Sequence, residues 1–100
     1  MSDVIANPHV EQDMTLRFFC ELCHIRRNSV EVVNNGMDPF EIWRNLGYQA
    51  FHEQVVPAIL NRLIHNNLQL GLITFNQNTR RVNVSENGLI WAETNCSRFS

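Results

Sequence analysis

The string Cys20-Glu21-Leu22-Cys23-His24 is where residue types and spacing come closest to a cofactor site. It has the C-x-x-C-H form of haem attachment, in which two thioethers anchor the porphyrin and the His ligates iron. The same three side chains, joined by Cys96, could instead complete a zinc tetrahedron. Two arguments oppose these readings. Covalent haem attachment follows export, and residues 1–11 carry neither the basic nor the apolar region of a signal peptide. A closed zinc site is usually built from paired motifs, and no second pair is present. Apolar Phe19 and Leu22 beside the cysteines favour inert core thiols, and the odd total of three cysteines argues against a disulfide framework. The expectation is therefore no cofactor and reduced thiols, with haem or metal on Cys20, Cys23 and His24 left for elemental analysis to decide.

Catalytic chemistry finds less support. There is no Gly-rich phosphate loop, no Ser in a nucleophile elbow, and no lysine anywhere in the chain. His9, His52 and His65 have no carboxylate at a defensible spacing, so the chain reads as non-enzymatic. All eight cationic side chains are Arg, against ten acidic residues and a formal charge of −2. Any basic patch must then be local and built from guanidinium groups, which fork onto phosphates and base edges where Lys acts as a point charge.

One hundred residues with 44% apolar content are one domain with enough material for a core. Residues 1–11 read as a flexible N-terminal arm, residues 12–95 as the folded domain, and residues 96–100 as a tail. No apolar run approaches the roughly 18–20 residues of a membrane span, so no membrane association and a cytoplasmic location are expected.

Within the domain, Phe18, Leu22 and Ile25 mark a first helix over residues 12–27, with a second apolar stripe of Leu16, Phe19, Cys20 and Cys23. A helix apolar on two sides is buried between two layers. In a chain this small the second layer is read as another subunit, which makes Leu16 and Phe19 the dimerisation residues. Residues 30–33 are too few to classify. Asp38-Pro39-Phe40-Glu41 predicts a capped second helix over residues 39–46, burying Phe40, Trp43 and Leu46 and ending at Gly47. Met37 and Ile42 would close a hydrophobic staple across its start. Val56, Ile59, Leu60, Leu63 and Ile64 predict a third helix over residues 55–67, leaving Gln54, Ala58, Asn61, Arg62 and His65 outward. Alternation then predicts strands over residues 68–75, with Leu68, Leu70 and Leu72 inward, and 80–84, joined by an Asn-rich turn. Ser85 opens a last helix that would dock Leu89, Ile90 and Ala92.

Helix, short helix, Gly-containing turn, longer helix, hairpin and closing helix resembles the winged helix-turn-helix order, an α+β fold that is mostly helical with one β-hairpin wing. The stretch Ile59-Leu60-Asn61-Arg62-Leu63, the strand ending at Phe75, and Arg80-Arg81-Val82-Asn83-Val84-Ser85-Glu86-Asn87-Gly88 are similar to MarR- and PadR-like regulators over residues 38–94. The resemblance implies a recognition helix, a basic wing and a Ser-x-x-Gly turn into the next helix. It also implies sequence-specific binding of double-stranded DNA by a homodimer that regulates transcription.

On that reading Gln54, Asn61, Arg62 and His65 approach base edges in the major groove, since Arg matches guanine acceptors and Asn or Gln matches adenine. Asn78, Arg80 and Arg81 would hold the adjacent backbone, although strand alternation lets only one of the two Arg side chains face the duplex. The alternative is a winged-helix module for a protein partner without DNA binding, for which the acidic balance is the argument.

Overall fold

The computed structural model describes residues 8–48 and 53–99. The expectations for residues 1–7 of the arm, for His52 and for Ser100 of the tail lie outside the described residues. The architecture is α+β, with five α-helices and one antiparallel hairpin among the described residues: α1 (Pro8–Arg27), α2 (Val30–Asn35), α3 (Pro39–Leu46), α4 (Val56–Gln69), β1 (Ile73–Asn76), β2 (Arg81–Val84) and α5 (Glu86–Asn95). Short 3-10 turns cover Glu53–Val55 and Cys96–Phe99. Among the described residues no helix is long and apolar enough to cross a membrane.

Helix α1 is the axis of the molecule, packing against every other α-helix and against β2. It begins at Pro8, so residues 8–11 are its first turn and not part of an arm. Its two apolar stripes are both used within the chain. Met14, Phe18 and Leu22 enter the core with Ile42, Ile59 and Leu63. Phe19, on the other stripe, is 0% exposed and meets Trp91 of α5 edge-on, with ring centroids 5.6 Å apart. The second layer expected from a partner subunit is therefore α5, and Phe19 has no surface to offer a dimer. Leu16 is itself largely covered against the same core.

Ser29 caps α2, accepting a hydrogen bond from the Val32 amide. Asp38 caps α3 as its sequence requires, its Oδ1 accepting from the Phe40 amide at 2.9 Å. Glu41 pairs with Arg44 and does not reach back to close the box. Trp43 is buried beside Tyr48, whereas Phe40, expected inside, is 43% exposed. Gly47 ends α3 with φ 73°, its amide donating to the Arg44 carbonyl.

The largest departure from expectation is at residues 68–72. The first two residues of the predicted strand are the end of α4, which continues to Gln69, Leu70 is 59% exposed, and the strand holds only from Ile73 onward. Asn67 does not break the helix because its side chain is fully buried and its Nδ2 donates to the carbonyls of Leu63 (2.9 Å) and Thr15 (3.2 Å), although its Oδ1 is buried there without a partner among the described residues. The stop is Gly71, at φ 74°. Its amide donates to the Leu68 carbonyl and that of Leu72 to the Asn67 carbonyl, the paired bonds of a Schellman ending.

Strand β1 pairs with β2 in the register Ile73 with Val84 through Asn76 with Arg81. Met37 adds a one-residue bridge on the far side of β2, exchanging both backbone bonds with Val82. Gly36 permits this approach, since a Cβ there would stand 2.8 Å from the Val82 carbonyl oxygen. Ser85 caps α5 by accepting from the Gly88 amide, and a Cβ at Gly88 would collide with the Leu72 carbonyl. That close approach sets the rotation of α5: Gly88 and Ala92 face inward with Trp91, while Leu89 and Ile90, expected to dock, point outward. The tail expected at residues 96–100 is instead tied down, because Cys96 is bonded to Cys20 of α1.

Candidate functional site

The outward face of α4 carries Asn61, Arg62 and His65, with Gln54 exposed on the 3-10 turn just before it. This face has two flanks. On one side, α4, the start of α3 and the hairpin enclose a cleft of about 500 Å³. Asn61 lines it from α4, Asp38 and Phe40 from α3, and Phe75, Thr79, Arg80 and Arg81 from the hairpin. Gln54 and His65 stand outside that cleft.

The hairpin tip is shaped by its Asn residues. Asn76 Oδ1 accepts from the amides of Asn78 (2.9 Å) and Thr79 (3.2 Å), folding the turn with a side chain in place of a backbone carbonyl. The Arg80 amide then donates to the Asn76 carbonyl at 2.7 Å. This closure holds Arg80 at φ 57°, a left-handed conformation that Gly or Asn adopts far more cheaply. Asn78 and Arg80 are exposed at the tip. Among the described residues the Arg80 guanidinium has no hydrogen-bond or ion-pair partner. Arg81 is different: half-buried, it donates from Nη1 to the Gly36 carbonyl at 3.3 Å and braces the hairpin against the end of α2. Of the two Arg side chains Arg80 is the outward one, but the turn before β2 sets this and not strand alternation, since β2 begins at Arg81.

On the other flank, Arg62 Nη2 lies 2.5 Å from Glu11 Oε1, and Asn66 Nδ2 donates to Glu11 Oε2 at 2.7 Å. Glu11 belongs to the first turn of α1, the segment expected to be an arm. It is the residue near the α4 face that sequence reasoning missed. The available signal was Asn7-Pro8, a cap residue followed by Pro, the same type of start as Asp38-Pro39. Arg62 is thus braced from α1, not brought together with Arg80.

The cysteine string does not form a ligand set. Cys20 is joined to Cys96 across 76 residues of chain, with Cα atoms 5.4 Å apart, which corrects the expectation of reduced thiols. Cys23 is free and buried, and its burial pushes the thiol up from 9.0 to about 11, against a smaller opposing pull from Arg26 and Arg27. His24 is exposed. Among the described residues no three His, Cys, Asp or Glu side chains are grouped to hold a metal ion.

Comparison of the chain with protein-family models, with curated proteins and with solved structures finds no match.

Proposed function

We propose that the chain is a winged helix-turn-helix protein that binds double-stranded DNA and regulates transcription, as a cytoplasmic homodimer without catalytic chemistry. In this reading α3 and α4 are the helix-turn-helix, β1 and β2 are the wing, and the Met37 bridge on β2 is the remnant of a third strand. The observation that supports the proposal is the shared cleft: Asn61 of α4 and Arg80 of the hairpin line one opening, while Gln54, Arg62 and His65 stand outside it. A B-DNA major groove of about 12 Å admits a helix, and a neighbouring wing then meets the adjacent backbone.

Asn61, Arg62, His65 and Gln54 take the base-edge role. Arg80 takes the phosphate or minor-groove role with Asn78, while Arg81 positions the wing. A two-fold dimer would set its two α4 helices about 34–36 Å apart, with a contact surface other than Phe19. Fluorescence anisotropy against short duplexes at low salt tests the reading. Binding that weakens steeply with salt supports it, since phosphate neutralisation releases counterions.

A second reading is favoured by the floor of the same cleft, where Phe40, Leu60, Ile64 and Phe75 are apolar and Asp38 adds a negative rim. Such a floor suits a protein partner. Absence of duplex binding at low salt would select this module reading over the first.

A further inference from the structure

The three cysteines gather on one side of α1, away from the α4 face. Cys20, Cys23 and Cys96 line a single cleft of about 490 Å³ with His24, Arg27 and Ser97. Cys20 is almost fully buried, whereas Cys96 is partly exposed, so the bond between them is reached through the cleft from the Cys96 side. Cys96 opens the 3-10 turn that follows α5, and that turn packs on α1.

The bond ties the last described turn of the chain to the core: Cys20 is one of the buried core residues, and Cys96 packs against them from outside. The core formed by α1, α3, α4 and the hairpin closes through Phe18, Leu22, Ile42, Ile59, Leu63 and Val82 without that bond. Helix α5 is fixed at its start by the Ser85 cap and by Gly88 against Leu72. Its far half rests on the Trp91 edge, on small Ala92 and on the disulfide, while Leu89 and Ile90 bury little. A bond that secures only the end of a chain can open locally, where a bond through a core opens with the fold.

We propose that Cys20–Cys96 is a thiol-exchange site, opened in the native protein by a small thiol of the glutathione class entering this cleft, and that opening releases the end of α5 and the Cys96–Phe99 turn from α1. The small thiolate attacks Cys96 Sγ; the S–S bond breaks and Cys20 leaves as a thiolate that takes up a proton. A second small thiol then displaces the first from Cys96, giving the Cys96 thiol and the oxidised disulfide of the small thiol. Two electrons and two protons pass to the protein. Cys23, one turn along α1 from Cys20, does not compete, because its buried thiol stays protonated near neutral pH. The pairing is therefore single-valued, and in a reducing compartment the bond works as a switch.

The test uses the full chain in glutathione buffers of graded ratio, without denaturant. Alkylation and peptide mass analysis identify which cysteines open, and hydrogen exchange reports protection along the chain. The expected result is a transient glutathione adduct on Cys96, then free Cys20 and Cys96. Amide protection over residues 89–99 should fall by about tenfold or more, with α3, α4 and the hairpin unchanged. Cys96→Ser should show the same loose segment with no thiol added, and Cys23→Ser should open at the wild-type rate. Three results would overturn the proposal: a bond that opens only in denaturant, opening accompanied by loss of protection throughout, or opening that leaves residues 89–99 as protected as before.

Discussion

The two stripes of α1 and the two flanks of α4 pose the same problem with opposite answers. On α1, an apolar stripe that looked available to another subunit is closed by α5, so that Phe19 is sealed under Trp91. On α4, the outward face stays open between the hairpin and the first turn of α1. Its two guanidinium groups differ in their partners, Arg62 held by Glu11 and Arg80 extending from a left-handed turn position. Apolar surface in a small domain is covered by its own chain wherever an element can reach it, because burial stabilises at about 25 cal/mol per Å². Exposed polar surface has no such pull, and what remains arranged there needs another reason.

The largest effect should come from breaking the sealed side. Phe19→Ala removes a fully buried ring and should destabilise the protein by about 3–5 kcal/mol. Were Phe19 a dimer contact, sedimentation would change while the melting temperature at low concentration would not. Asp38→Ala leaves the start of α3 without its acceptor and should cost about 0.5–2 kcal/mol in urea melts, with α4 intact. Arg80→Gly sharpens the contrast from the open side. Relief of the left-handed conformation should stabilise the fold by about 1 kcal/mol while duplex binding weakens, separating the fold's interest from the site's.

Cys23 supplies a pH test of the sealed side. Its thiol titrates near 9.0 when unfolded and about 11 when folded, so between these values the folded state holds the extra proton. Stability should be fully present below about pH 9 and decline as pH rises toward 11, and Cys23→Ala should remove that part of the decline. The smallest effect is expected for Glu11→Gln. Glu11 is mostly buried and Arg62 half-exposed, and Gln keeps an acceptor for Asn66 Nδ2, so the loss of stability should stay within about 1 kcal/mol, while duplex affinity rises modestly as one negative charge leaves the α4 face.

Elements with local signals were legible in the sequence. Asp38-Pro39 and Gly47 bound α3, and Ser85-x-x-Gly88 opens α5, because caps and left-handed stops act through neighbouring residues. The errors occurred where a distant contact decided the outcome. Residues 68–72 alternate like a strand, yet the bonds of Asn67 to Thr15 and Leu63 carry α4 through the Asn pair. The inward side of α5 was misjudged because it is set by Gly88 against Leu72, not by the apolar residues of α5 themselves. Cys20 and Cys96 lie too far apart in sequence for any spacing rule to join them. Of the proposed DNA face, Asn61, Arg62, His65 and Arg80 are exposed as expected, whereas the braces of Arg81 on Gly36 and of Arg62 on Glu11 join residues too distant in sequence for a local pattern to signal.

The central claim is that α4 and the hairpin present one surface to duplex DNA. It is tested most directly by anisotropy titrations of the wild-type chain and of Arg80→Ala against the same short duplex across a salt series. The wild type should bind at low salt, and the variant should bind more weakly with a log–log salt slope shallower by about 0.9 for the one lost phosphate contact. Failure of the wild type to bind any duplex at low salt, or indistinguishable slopes for the two proteins, would contradict it.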